Sequence, residues 1–329
     1  MKPVQPQRGA ALLMAMLTVT LVATFAAAAM WQQWRSVEVE TAERARVQSA
    51  WVLVGAVDWA RLILREDARS GGADHLAEPW AVPLQEARLS TFLAADRNNS
   101  GGASTDMGGG DDGQDAFLSG QITDLQGRLN VLNLVEGDKV SEPALKAFAK
   151  LFELLGLPPQ QLTLLASGMV QAFDAPASNP DAPLLPQQVE QLVWLGVTPQ
   201  TVAALRPYVT LLPARTPVNL NTASAEVICA SLPALDLAGA QRLVAARDMA
   251  HFRTLADAAG KLSGAAAAQL GEGQHSVASR YFEARGRLRL DQTTVEERSL
   301  LQRDGLEVKT LWRERVVVTA TSGAAPAGR

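Results

Sequence analysis

Side chains able to do covalent or metal chemistry are scarce in this chain. Cys229 is the single cysteine, which excludes an intrachain disulfide and any multi-cysteine metal site. His75, His251 and His275 are the only histidines and stand far apart, so a nucleophile–base pair or a histidine zinc site is poorly supplied. Each reads as a surface or packing histidine, and Cys229 as a small core residue. Asp106, Asp111, Asp112 and Asp115 offer oxygens suited to calcium, but their spacing lacks the order of an EF-hand and its closing Glu. Asn98 to Asp115 is almost all Gly, Ser, Asn and Asp, so a mobile, solvated loop fits it better. No catalytic set emerges, and the chain reads as a non-enzyme.

The elements that would position any site must therefore carry the reading. With 329 residues, 47% of them hydrophobic, the chain can build one large domain or two. A net charge of −4 gives no support to a general nucleic-acid surface. Lys2 and Arg8 are the only charges before Arg35, and residues 10–34 form an uncharged, largely apolar run long enough to cross a bilayer as a helix. The basic leader places the start of the chain in the cytoplasm and the bulk on the far side. Three readings compete: a secretory signal cut near Ala26–Ala29, a plain anchor, and a prepilin signal cut after Gly9. Trp31 and Trp34 suit a membrane interface, and Arg35 to Asp67 contains no Gly or Pro except Gly55. Val47, Ala50, Val54, Val57 and Leu64 recur at helical spacing, which predicts one long helix running from membrane to amphipathic segment.

Further on, Ala116 to Ile122 reads as a strand, followed by a turn at Asp124-Leu125-Gln126-Gly127 and a run closing on Asn133-Leu134. Residues 141–272 are predicted to be mostly helical. Glu142 to Leu155 and Gln187 to Leu195 have helical spacing, stopped by Gly156-Leu157-Pro158-Pro159 and Gly196-Val197-Thr198-Pro199. Ser279 to Leu288, Thr294 to Leu301 and Glu307 to Thr319 have strand character. Arg285, Arg287 and Arg289 share one strand face, read as solvated, with an acidic partner as the alternative. Ala320 to Arg329 reads as a disordered tail.

Pro217-Val218-Asn219-Leu220-Asn221-Thr222-Ala223, continuing through Leu232-Pro233 to Arg247 and Phe252, resembles the helix-hairpin-helix of DNA-uptake and repair proteins. In those a Gly-x-Gly hairpin admits a phosphate to backbone N–H groups. Here Ala234 adds a Cβ and Asp236 a negative charge, so a structural or protein-binding hairpin is favoured over a membrane-tethered DNA binder. Asn221 and Thr222 are expected to cap the helix that follows, with Glu226 near its first turns.

A membrane helix running unbroken into an amphipathic one resembles the long helix of type IV pilin-like proteins. With the Asp-x-x-Gly-Arg-x-Asn run at 124–130, the helical block behind it and the Ser279-x-Tyr281-Phe282 entry, the chain resembles minor pseudopilin K of the type II, or general, secretion system. The resemblance implies an α/β (α+β) pilin-like fold, a long helix packed on an antiparallel sheet with a large all-α domain inserted. It partitions the chain into a leader (1–9), a transmembrane part (10–34), a periplasmic helix with the first pseudopilin segment (35–124), the inserted helical domain (125–274), the last strands (275–319) and the tail (320–329). It also implies cleavage by prepilin peptidase between Gly9 and Ala10, N-methylation of Ala10, an inner-membrane anchor, and partners in minor pseudopilins I and J and the major pseudopilin filament. No nucleic acid is expected. Most pilins carry Glu at the fifth mature position, where this chain has Met14; a subunit with nothing ahead of it needs no such acid. Some family members bind calcium through an acidic segment, of which Asp174 and Asp181 remain here without its Trp.

Overall fold

The computed structural model describes residues 8–89, 116–174, 183–290 and 293–319. Two compact units divide the chain, Met1–Val54 and Gly55–Arg329. One helix, α1 (Arg8–Ser70), is 63 residues long. Its amino-terminal part is long and apolar enough to cross a membrane. Leu12, Leu13, Met14, Phe25 and Trp31 all lie exposed there. Apolar surface left bare on this scale marks a lipid or protein contact. The helix stops at Gly71 and Gly72, whose φ values of 65° and 122° take the chain out of the right-handed region.

In the larger unit, Val57, Ala60 and Leu64 follow one another at three- and four-residue steps and form the face that α1 buries. Against it stand Trp80 and the sheet residues Ile122, Phe282, Ala284, Leu301 and Val308. Val47, expected on the same face, is exposed. Among the described residues the sheet has five antiparallel strands in the order β1 (Leu84–Arg88), β2 (Ala116–Asp124), β3 (Tyr281–Leu290), β4 (Thr293–Asp304) and β5 (Glu307–Thr319). β2 and β3 are neighbours in space although more than 150 residues apart in sequence, with Asp124 opposite Phe282. The chain thus leaves the sheet at the end of β2 and returns beside the point where it left. Everything between is an insertion into what would otherwise be a hairpin.

That insertion contains α2 (Glu142–Leu154), α3 (Pro159–Asp174), α4 (Pro199–Leu205), α5 (Ala225–Ser231), α6 (Leu237–Met249), α7 (Leu255–Ala259) and α8 (Gly264–Ala268). Its core joins Phe148, Leu151, Leu165, Met169, Leu192, Leu205, Ile228 and Phe252, all fully or almost fully buried. Burying each side chain of this size stabilises by about 1.5–3 kcal/mol before entropy is charged. Gln187 to Leu195, expected as α-helix, forms a 3-10 helix at Val189–Leu195. Val189, Leu192 and Leu195 recur every third residue, and three residues per turn set all three on the core side. Short strand pairs also appear that periodicity did not indicate: Leu129–Asn130 runs parallel to Val209–Thr210, and Val218–Asn219 parallel to His275–Ser276.

Candidate functional site

The sequence motifs that looked most specific meet where the insertion joins the sheet. Asp124, the last residue of β2, is buried and accepts four hydrogen bonds. Oδ1 takes the backbone N–H of Gln126 (2.8 Å), while Oδ2 takes Asn219 Nδ2 (3.0 Å), Thr222 Oγ1 (2.6 Å) and Ser279 Oγ (2.6 Å). Burial pushes its carboxyl up to about 6 against the pull of these donors. Asn219, wholly buried, also donates to the Asp74 carbonyl (3.2 Å) and Ser279 Oγ (2.9 Å), and its Oδ1 accepts from Asn221 N (2.9 Å). Four segments distant in sequence are thereby tied through two side chains.

The glycine of the Asp-x-x-Gly-Arg-x-Asn run has a steric cause. A Cβ on Gly127 would stand 2.9 Å from Thr222 Oγ1 and 3.1 Å from the Thr222 backbone carbon and oxygen. Asn130 serves as a backbone surrogate: its Nδ2 donates to Ala214 O (2.7 Å) and its Oδ1 accepts from Leu132 N and Leu212 N. Asn133 pairs both ways with the backbone of Thr216 (2.7 and 3.0 Å). Asn221 does the same to Phe252, at 2.9 Å in each direction. Asn221 and Thr222 therefore do not cap α5; Ser224 does, through Oγ and Val227 N (3.3 Å). An Asn placed within reach of a buried backbone pair gains more there than at an exposed helix end.

Beside this seam Arg303 joins two acids. It donates to Asp67 Oδ2 (2.6 Å), both Asp74 oxygens (2.6 and 2.7 Å) and the Ser279 carbonyl (2.8 Å). The carboxylates of Asp67, Asp74 and Glu78 converge within 4.8 Å; the guanidinium pairs with the first two, while Glu78 accepts from His75 N and Trp80 Nε1. Burial raises Asp67, helped by the nearby Glu78, and burial also raises Asp74 against the pull of Arg303. Asp74 and Arg303 carry no pattern in the sequence; Ser279 belongs to the Ser279-x-Tyr281-Phe282 motif.

The histidines are not all solitary. His75, after α1, and His251, after α6, stack with ring centroids 3.8 Å apart at 11°. Burial and then the neighbouring His251 hold His75 below its ordinary value. His275 is buried in the core, and Cys229 is buried and donates to the Leu235 carbonyl (3.3 Å). The alternating arginines of β3 are met within the sheet: Arg285 by Glu283 (3.0 Å), Arg287 by Glu296 (3.0 Å) and Arg289 by Glu86 (2.7 Å). In the hairpin, Asp236 Oδ1 accepts from Gly239 N (2.7 Å) and so fills the amino terminus of α6, the place a phosphate would take. Arg247 turns inward to the carbonyls of Leu220 and Ala223. This geometry gives the DNA reading no support.

Gly9, Ala10 and Met14 all lie in α1. Asp174 is the last residue of α3, whereas Asp181 lies outside the described residues, as do the acidic loop at 98–115 and the tail. Two family models, both described as type II secretion system (T2SS), protein K, match residues 127–214 and 218–278. They fall on the insertion and include Gly127, Asn130, Asn219 and Asn221. The type II secretion system protein K of Pseudomonas aeruginosa is 27% identical, over 93% of this chain and 89% of that protein. The chain is similar to type II secretion system protein K. The fold agrees: the crystal structure of the GspK–GspI–GspJ complex from the enterotoxigenic Escherichia coli type 2 secretion system matches at a TM-score of 0.63 and 18% identity. That match covers 84% of this chain and 98% of the other. In this chain the pilin-like part is the long helix with its antiparallel sheet, and the helical block is inserted between β2 and β3.

Proposed function

We propose that the chain is a minor pseudopilin of the type II secretion system, which assembles with minor pseudopilins I and J at the tip of the pseudopilus, starts the filament and caps it during export of folded proteins. The observation that carries this is the likeness to protein K over 93% of the chain, membrane-length helix and helical insertion included. In this reading α1 crosses the inner membrane once, the remainder is periplasmic, and the major pseudopilin filament grows beneath. Prepilin peptidase cuts between Gly9 and Ala10, and Ala10 is then N-methylated. Met14 leaves no carboxylate for the terminal ammonium of a subunit ahead. Two opposite charges in low dielectric attract strongly, so a subunit without the acid forgoes that docking and fits the first position.

The partition into leader, anchor, pseudopilin segments and an insertion at 125–274 belongs to the same proposal, as does a calcium role for Asp174 and Asp181. Assembly is the activity: an apolar helix packs in the membrane while a rigid block, fastened at the Asp124–Asn219 seam, sits at the end. Intact-mass measurement of the mature protein tests the first step. A chain that begins at Ala10 and carries one methyl group is expected; one that begins at Met30 would sink the proposal.

A further inference from the structure

Every polar residue of the Asp124-x-x-Gly127-Arg128-x-Asn130 run has a partner except one. Among the described residues nothing hydrogen-bonds or ion-pairs with the Arg128 guanidinium, although the residue is half-buried. It opens into a cleft of about 430 Å³ between the insertion and the sheet, whose charged lining is Arg128, Arg206, Arg285, Arg298, Glu190 and Glu283. The other three arginines are satisfied. Arg206 meets Glu190 at 3.1 Å, while Arg285 and Arg298 share Glu283 at 3.0 and 2.9 Å. Arg285 and Arg298 reach Glu296 and Glu314 as well. Loss of water, and then repulsion from Arg285, Arg298 and Arg206 against the pull of Glu283, lowers Arg128 from its ordinary value. Arg128 is thus the one guanidinium of this cleft with no acid paired directly to it among the described residues, and the cleft is floored by the buried Leu125 and Leu300.

We infer that this cleft is a binding site for one carboxylate, presented as an Asp or Glu side chain on a polypeptide segment. A guanidinium offers two parallel N–H donors that match a carboxylate, and partial burial strengthens the bond. A doubly charged phosphate is disfavoured by the flanking Glu190 and Glu283, whereas a single carboxylate gives the Arg128 guanidinium the direct partner it lacks. The apolar floor beside the charge suits the stem and neighbours of a side chain held on a peptide better than a free ion.

The test is an anisotropy titration of the full chain in detergent micelles at low salt, with fluorescein-labelled, C-terminally amidated Gly-Ala-Glu-Ala-Gly and its Gln counterpart as probes. The Glu peptide is expected to bind about tenfold tighter than the Gln peptide. Arg128→Gln is expected to erase that preference and Arg128→Lys to keep only part of it, since an ammonium lacks the planar fork. Circular dichroism of each variant establishes that it is folded. Equal binding of the two peptides by the wild-type chain, or an undiminished preference in Arg128→Gln, overturns the site. Free glutarate binding as tightly as the Glu peptide overturns the assignment to a polypeptide.

Discussion

Replacing Asn219 with Ala should detach the helical insertion from the sheet more effectively than any other single truncation at the seam. Asn219 is completely buried, and its amide reaches Asp124 Oδ2 at 3.0 Å, Ser279 Oγ at 2.9 Å and the Asp74 carbonyl at 3.2 Å, while its oxygen takes Asn221 N at 2.9 Å. Truncation leaves the Asn221 N–H without that acceptor in a dry site, at about 1–3 kcal/mol. It also removes one donor from the Asp124 carboxylate; bonds to charged groups contribute about 1.5–3 kcal/mol. The two together give a loss of roughly 2.5–6 kcal/mol, before any void is counted. Urea unfolding of the full chain in a mild detergent, wild type against variant, measures it directly. Asn219→Asp should be at least as damaging, because it sets a second carboxylate oxygen 3.0 Å from Asp124. A loss below about 1 kcal/mol for Asn219→Ala would show that the network is dispensable and refute the seam as the fastening.

Gly127→Ala places a Cβ 2.9 Å from Thr222 Oγ1 and 3.1 Å from Thr222 backbone, so a cost of about 1–3 kcal/mol is expected in the thermal midpoint, and an unchanged midpoint contradicts the close approach. Asp124 sits at about 6 in the folded chain against its usual 3.8. Because the folded value is the higher one, its contribution is fully present below pH 3.8 and lost as pH rises through about 6. A shift near two units corresponds to roughly 3 kcal/mol. The stability difference between wild type and Asp124→Asn should therefore fall by about that amount between about pH 4 and pH 7.5, and a flat difference contradicts the assignment. Gly9→Trp should block processing, read as a mature mass that retains the leader, whereas Met14→Glu should not be required for secretion. Recovery of an otherwise inactive natural chain by Met14→Glu would refute the tip position.

The architecture was legible wherever a residue's role is local. The uncharged run ending at Arg35 and the Val57/Leu64 spacing announced α1, and Gly156 and Gly196 marked stops through the left-handed turns they adopt, at φ 63° and 83°. Alternation around Ala116 and Val316 announced strands. What escaped was relational. Asn221 and Thr222 look like caps because they precede a helix, yet backbone from Phe252 and the carboxylate of Asp124 claim them first. Asp74 and Arg303, 229 positions apart, carry no joint signal in one sequence. The row of arginines on β3 is largely exposed, as its alternation indicated, but its ion pairs escaped: Glu283 lies on β3 itself, Glu296 on β4 and Glu86 on β1. The His75–His251 stack was missed for the same reason. The Asp-x-x-Gly-Arg-x-Asn run has its physical cause at the seam: Asp124 accepts across it, Asn130 donates and accepts, Gly127 clears the way for Thr222, and Arg128 lines the cleft beside it.

The central claim, that this chain is the K-type minor pseudopilin that completes a tip with I and J, is tested most directly by co-expressing the full chain with minor pseudopilins I and J and purifying from detergent through a tag on I. The account predicts one complex containing all three subunits that survives size-exclusion chromatography. Recovery of I with J while this chain elutes alone would contradict it.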